Sequence, residues 1–70
     1  MILVTQSKKE YNSEQVYVWI SGNRIMTAFQ LKYGDPEEHV LGEYKDVTMA
    51  EMVIDDFFEA EEEGRKEFYF

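Results

Sequence analysis

Residues 16–29 have the sequence VYVWISGNRIMTAF, in which two alternating apolar segments flank Gly22-Asn23. Alternation of period two is typical of β-strands, and a glycine in a two-residue loop supplies the positive φ of a type I′ or II′ hairpin turn. If Ser21 faces Arg24 across this turn, Val16 faces Phe29. The alternation continues beyond Phe29, so the second strand is predicted to reach Tyr33.

This register separates the hairpin into two faces. Val16, Val18, Ile20, Ile25 and Phe29 share one face, which we expect a helix to cover. The other face carries Tyr17, Trp19 and Met26, a composition typical of protein interfaces. The alternative is that Tyr11 or Leu3, with the loop at residues 6–13, covers this face as a minor core.

Three further elements complete the predicted fold. Ile2–Thr5 and His39–Tyr44 are predicted strands, the second with Val40 and Tyr44 on one side and His39, Leu41 and Glu43 on the other. Residues 66–70 form a closing strand with Phe68 and Phe70 on one face. The turn at residues 33–38 contains Pro36, which is excluded from a central strand.

Residues 48–63 have the pattern of an amphipathic helix. Thr48 is the predicted N-cap, and it forms a capping box with Glu51. Val47 and Met52 are placed to form a hydrophobic staple. Gly64 is predicted to end the helix. At 100° per residue the apolar side consists of Met49, Ala50, Val53, Ile54, Phe57 and Ala60. The predicted fold is therefore a single α+β domain over residues 1–70, with element order ββββαβ and one helix packed on a small, mainly antiparallel sheet.

Charge is distributed very unevenly along the 70 residues, whose formal net charge is −8. Residues 34–63 contain one base, Lys45, and twelve acids: Asp35, Glu37, Glu38, Glu43, Asp46, Glu51, Asp55, Asp56, Glu59, Glu61, Glu62 and Glu63. Such a surface repels nucleic acid and anionic membranes and attracts basic proteins. An acidic helix face is also a common way to keep a protein in solution, so the charge is either functional or only solubilising.

The sequence contains no recognisable arrangement of catalytic residues. The chain has no cysteine and one histidine, His39, which we interpret as a surface residue. Asp35, Glu37 and Glu38 lack the spacing of a calcium loop and are interpreted as a solvated turn. We therefore expect no enzymatic activity, no cofactor and no metal site. No run of apolar residues is long enough for a membrane span or a secretory signal, so we expect a cytoplasmic protein.

The layout resembles small uncharacterised proteins carried by phages, prophages and conjugative elements of Gram-positive bacteria. The resemblance covers most of the chain: the start Met1–Val4, the aromatic hairpin, VLGEY at residues 40–44, DDFFEA at 55–60 and a final aromatic strand. Its sharpest motif is Leu-Gly-Glu-Tyr before the helix. Those relatives often have a longer insert where this chain has residues 64–66. The resemblance implies no site residues; it implies a protein that binds and inhibits host machinery.

Two functional hypotheses follow. In the first, the protein mimics nucleic-acid charge and binds a basic, nucleic-acid-handling host protein, with these partner-binding residues: Glu51, Asp55, Asp56, Glu59, Glu62 and Glu63. In the second, it is an interaction or assembly module that forms a homodimer or docks on a partner. That module would use Tyr17, Trp19 and Met26 or a free sheet edge. Neither hypothesis involves direct binding of nucleic acid or membrane.

Overall fold

The computed structural model describes residues 1–70 and contains six strands and one helix. The strands are β1 (Ile2–Val4), β2 (Glu10–Asn12), β3 (Val16–Ser21), β4 (Arg24–Phe29), β5 (His39–Glu43) and β6 (Glu67–Tyr69), and helix α1 is Val47–Glu63. A 3₁₀ turn at Ser13–Gln15 joins β2 to β3. The predicted α+β class is confirmed, and the predicted element order lacks only β2.

The strands form two three-stranded sheets. One has the order β3-β4-β5 and is antiparallel throughout. The other has the order β2-β1-β6, in which β1 is antiparallel to β2 and parallel to β6. Because β2 and β6 occupy both edges of β1, the hairpin strands cannot pair with β1 and form a sheet of their own with β5.

The hairpin has the predicted register. Ser21 lies opposite Arg24, Trp19 opposite Met26 and Val16 opposite Phe29. In the turn, Gly22 has φ +60° while Asn23 has a negative φ, which is the combination of a type II′ turn. The Asn23 side-chain amide donates to the Tyr44 backbone carbonyl at 2.7 Å, and the Asn23 backbone carbonyl accepts from the Tyr44 N–H at 2.9 Å. The turn is therefore also attached to the chain entering α1.

Strand β4 ends at Phe29, so the predicted extension to Tyr33 is wrong. Its two neighbours set this limit: β3 begins at Val16, opposite Phe29, and β5 begins at His39, opposite Thr27. Residues beyond Phe29 have no strand to pair with, and the Tyr33 side chain is 86% exposed.

A β-bulge in β5 corrects the predicted facing of Tyr44. Ile25 lies opposite Gly42 and Met26 opposite Val40, so Leu41 is the additional residue. An additional residue shifts the alternation of everything that follows it. Leu41 is fully buried, as its alternation with Val40 requires. Tyr44 follows the bulge and therefore packs against the core on the same side as Leu41 instead of sharing a face with Val40.

Helix α1 begins two residues earlier than predicted. Asp46, not Thr48, is the N-cap: its Oδ1 accepts from the Met49 N–H at 2.9 Å, and its backbone is extended. With Asp46 as the N-cap, the predicted hydrophobic staple between Val47 and Met52 is also absent, since Met52 is 64% exposed. Aspartate is favoured at the N-cap because its side chain accepts the hydrogen bond and places a negative charge at the positive end of the helix dipole.

The end of α1 is as predicted. Gly64 adopts the left-handed conformation with φ +73°, and its N–H donates to the Glu61 carbonyl at 3.1 Å. The next residue, Arg65, donates to the Ala60 carbonyl at 3.1 Å. These two bonds form a Schellman motif, which turns the chain back towards β6.

The core lies where α1 meets both sheets. It consists of Leu3, Val16, Ile25, Leu41, Ile54 and Phe57. Phe57 is 1% exposed, and its ring centroid lies 5.6 Å from that of Phe68 and 5.4 Å from that of Phe70. Of the predicted apolar side, Ala50, Ile54, Phe57 and Ala60 are buried and Val53 is half-buried, whereas Met49 in the first turn is exposed.

The corrected N-cap predicts unequal effects of two alanine substitutions. Asp46→Ala should lower the free energy of unfolding by about 0.5–2 kcal/mol, because the first turn loses its cap. Thr48→Ala, the matched control two residues away, should change it by less than about 0.5 kcal/mol. Urea denaturation of both variants measures the difference. Equal losses, or a larger loss for Thr48→Ala, would contradict the assignment.

The burial of the Tyr44 hydroxyl predicts that the protein loses stability at alkaline pH. Its hydroxyl is buried without a hydrogen-bond partner, and burial raises the pKa of the phenol. A pKa higher in the folded than in the unfolded state means that stability is complete below about pH 10 and falls as the pH rises through the folded pKa. Tyr44→Phe should be neutral or stabilising by about 1 kcal/mol at pH 7, and should lose less stability than wild type above about pH 10. If the wild type and Tyr44→Phe lost the same stability in denaturation experiments above about pH 10, Tyr44 would not be the cause of the loss.

Candidate functional site: the acidic face of helix α1

The outward side of α1 carries a continuous row of carboxylates. We define the acidic face as Glu51, Asp55, Asp56, Glu59, Glu62 and Glu63, all of which are exposed. The positions are fixed by the helix period, because Ala50, Ile54, Phe57 and Ala60 are buried on the opposite side. The structure therefore brings together all six residues predicted for this site.

Almost no cation neutralises this face. The protein contains two ion pairs, Arg24 with Glu43 at 3.7 Å and Arg65 with Glu63 at 2.9 Å. Only Glu63 belongs to the acidic face, and both members of its pair are exposed, so the pair stabilises the fold little. The other five carboxylates have no basic partner, and neither Lys32 nor Lys45 forms an ion pair.

The spacing of the charges resembles that of a nucleic-acid strand. With Glu61, the 17 residues of α1 carry seven carboxylates. At 1.5 Å per residue the helix is about 26 Å long, or about 3.6 Å of axis per charge. A single strand of B-DNA carries one charge per about 3.4 Å. A basic groove that binds phosphates therefore meets a similar charge density on α1.

The charges oppose helix stability. Glu51 with Asp55, Asp55 with Glu59 and Glu59 with Glu63 are like-charged i,i+4 pairs, each unfavourable by about 0.2–0.5 kcal/mol. Glu61, Glu62 and Glu63 also lie at the negative end of the helix dipole. The helix is held instead by its buried side and by its two caps.

A second exposed surface lies on the sheet β3-β4-β5, on the side away from α1. We define the aromatic face as Tyr17, Trp19 and Met26; Tyr17 is 59% exposed and the other two are half-buried. The bulge adds Val40 to it, opposite Met26. The sequence pattern does not reveal this addition, because it depends on the register of β5.

Tyr11 and Leu3 do not cover the aromatic face, so that alternative is wrong. Leu3 is fully buried in the main core with Val16 and Ile25. The Tyr11 ring lies 5.7 Å from that of Phe29 and 5.8 Å from that of His39, and it packs against the same core. Both residues therefore lie on the helix side of the hairpin sheet.

The remaining polar residues form no further cluster. Asp35, Glu37 and Glu38 are exposed in the β4–β5 connection, and His39 is half-buried beside Tyr11. No three His, Asp or Glu side chains lie close enough together to hold a metal ion, and the surface has no pocket. The only helix lacks the combination of length and apolarity that crossing a membrane requires.

Gln6 has a structural role that its sequence context does not reveal. Its N–H donates to the Leu41 carbonyl at 3.0 Å, its Nε2 donates to the Glu43 carbonyl at 3.2 Å, and its Oε1 accepts from the Glu43 N–H at 2.9 Å. One residue thereby occupies the outer edge of β5 next to the bulge and joins the two sheets.

Comparisons with protein-family models, with curated proteins and with solved structures give no match.

Repulsion within the acidic face predicts a stabilising charge reversal. Glu59→Lys converts two like-charged pairs, with Asp55 and with Glu63, into attractive ones and should raise the free energy of unfolding by about 0.5–1 kcal/mol. Glu37→Lys is the control, since it makes the same charge change in an exposed loop. Added salt should reduce the difference between the variants. Equal stabilities in urea denaturation at low salt would show that the helix charges do not interact.

Proposed function

We propose that the protein is a non-enzymatic binding protein that holds a basic protein surface against the acidic face of α1. The observation that carries this proposal is that five of the six carboxylates of the face are exposed and unpaired. A protein that needed these charges only for solubility could alternate them with lysines, which would remove the repulsion between neighbouring turns.

The geometry favours charge mimicry over a diffuse acidic surface. The carboxylates are attached to a helix whose orientation is fixed by Phe57 and Ile54 in the core and by a cap at each end. A partner therefore meets a preformed row of charges and does not have to order it, which lowers the entropic cost of binding. A negative row of this kind also speeds encounter with a basic partner, most strongly at low salt.

The partner that fits this surface best is a protein that binds DNA or RNA through a basic groove. The net charge of −8 disfavours direct contact of the protein with phosphates. The resemblance to phage and mobile-element proteins adds that the partner is a host protein and that binding inhibits it. On the same grounds the protein acts in the cytoplasm, where such targets are found.

The aromatic face supports a second candidate function, that of an interaction or assembly module. Tyr17 is largely exposed beside Trp19 and Met26, and the bulge places the exposed Val40 next to them. Large aromatic side chains beside methionine are enriched at protein interfaces. The acidic face and the aromatic face lie on different sides of the sheet β3-β4-β5, so one does not exclude the other.

Affinity capture with matched charge variants tests the first function. Immobilised protein is exposed to a lysate of a Gram-positive bacterium, and bound proteins are eluted with duplex DNA. Asp55→Lys with Glu59→Lys should lose the DNA-eluted fraction, because the centre of the acidic face is reversed. Glu37→Lys with Glu38→Lys makes the same change in net charge away from the helix and should retain it.

Salt and folding provide the controls. The captured fraction should decrease steeply as the salt concentration rises, since the contact is electrostatic. Circular dichroism should show that both double variants remain folded. Undiminished capture by the folded Asp55→Lys, Glu59→Lys variant would refute the proposed function.

A further inference from the structure

Three of the four sheet edges in this protein are protected against pairing with another strand. The edge strands β2 and β6 are three residues long and carry Glu10 and Glu67. Strand β5 is interrupted by the bulge at Leu41, and Gln6 occupies its outer edge. Short length, charge, bulges and covering groups are the usual devices that prevent edge-to-edge association.

Strand β3 has none of these protections. Its six residues, Val16–Ser21, contain no charge, no proline and no bulge, and β4 is its only neighbour. This is notable in a chain of which 31% is charged. A long, uncharged, unpaired edge is the feature that natural sheets avoid unless something pairs with it.

The hydrogen-bond pattern identifies the free backbone groups. The Gln30 N–H donates to the Gln15 carbonyl at 2.9 Å, which makes this a hydrogen-bonded position of the β3–β4 ladder. Such positions alternate along an antiparallel pair, so Tyr17, Trp19 and Ser21 also bond towards β4. The N–H and C=O groups of Val18 and Ile20 therefore point away from β4, where no strand pairs with them. The carbonyl of Val16, which points the same way, already accepts from the Gln30 side chain at 3.0 Å.

We propose that two copies of the chain pair through β3, antiparallel and about a twofold axis, to form one six-stranded sheet. In the pairing that uses all the free groups, Val18 bonds with Ile20 of the second copy and Ile20 with Val18 of the second copy. Trp19 then lies opposite Trp19 of the second copy at a position without hydrogen bonds, where side chains approach most closely. Tyr17 lies opposite Ser21 of the second copy.

A second copy of this chain fits the free edge of β3 better than a different protein with a similar net negative charge. Each copy carries a net charge of −8, yet β3 brings no charge to the junction, so like charges do not face one another there. The strand is also complementary to itself, because the twofold axis joins the two tryptophans. Aromatic side chains that lie opposite each other on neighbouring strands stabilise the pairing of those strands.

The dimer should be weak and should depend on salt. Pairing two six-residue strands buries less than the ~800 Å² per partner of a standard interface, which favours a dissociation constant in the micromolar range or above. An axis perpendicular to the sheet places both α1 helices on the same side, so the acidic faces of the two copies repel. Salt should therefore strengthen the dimer, whereas it weakens capture of a basic protein.

Amide hydrogen exchange measured by NMR tests the pairing residue by residue. The Val18 and Ile20 amides should become protected between about 10 µM and about 1 mM protein, the range in which a weak dimer forms. The Tyr17 and Trp19 amides bond to β4 and should be protected at both concentrations, which provides an internal control. A monomer by sedimentation at the higher concentration would overturn the proposal, as would a dimer whose Val18 and Ile20 amides exchange as fast as in dilute solution.

Disulfide trapping tests the register independently, because the chain has no cysteine of its own. A mixture of Tyr17→Cys and Ser21→Cys chains should cross-link under mild oxidation, since these positions face each other in the dimer. Tyr17→Cys alone should not, because its counterpart lies four residues away, about 13 Å along the strand. Cross-linking of Tyr17→Cys alone at the rate of the mixture would refute the register.

The proposed β3 dimer and the proposed function of the acidic face are independent, so an experiment can refute either one without refuting the other. The dimer gives a definite partner to the second candidate function and uses no carboxylate of α1. Asp55→Lys with Glu59→Lys should therefore abolish capture of basic proteins while strengthening the dimer. Loss of the dimer in this folded variant would contradict the β3 interface.

Discussion

The fold depends on the burial of Phe57 between the two sheets. Neither sheet has more than three strands, and a sheet of that size needs an apolar partner on one face to be stable. Helix α1 is the only element that can cover both: Phe57 and Ile54 pack with Val16 and Ile25 of the hairpin sheet, and Phe57 also contacts Phe68 and Phe70 beside β1. Removing this ring would open a cavity at the one place where the helix and the two sheets meet, a loss of about 3–5 kcal/mol in the general case. Small domains have a total stability of similar size.

This burial determines what the protein shows to its surroundings. A helix that turns Phe57 inward must turn Asp55, Asp56 and Glu59 outward, because they lie on the other side of the same turn. The caps at Asp46 and Gly64 hold the ends of the helix, so the carboxylates are presented in fixed positions. The repulsion among them costs a few tenths of a kcal/mol per pair. The sequence retains that cost in a domain with little stability to spare, which supports a use for the charge and is the reasoning behind the proposed function.

The parts of the structure that follow from local sequence patterns were predicted well, and those that depend on distant contacts were not. The hairpin register followed from the alternation around Gly22, and the buried side of α1 followed from the helix period. The bulge at Leu41 and the division into two sheets depend on contacts between distant residues, as does the attachment of Gln6 to β5. No local pattern encodes these. At the start of α1 two residues had capping chemistry, and the structure uses Asp46 instead of Thr48. The exposure of the six carboxylates of the acidic face follows from the same helix period, whereas Val40 lies beside Met26 on the aromatic face only because of the bulge.

The acidic face of α1 should present a continuous region of negative electrostatic potential. NMR with a pair of paramagnetic cosolutes of opposite charge measures this potential, because the two cosolutes relax each amide and side-chain proton unequally according to the local potential. The most negative values in the protein should lie over the outward side of α1, from Glu51 to Glu62, and should become less negative at Glu63, where Arg65 lies alongside. Values over α1 that are no more negative than those over β2 or the loop at residues 34–38 would contradict this prediction.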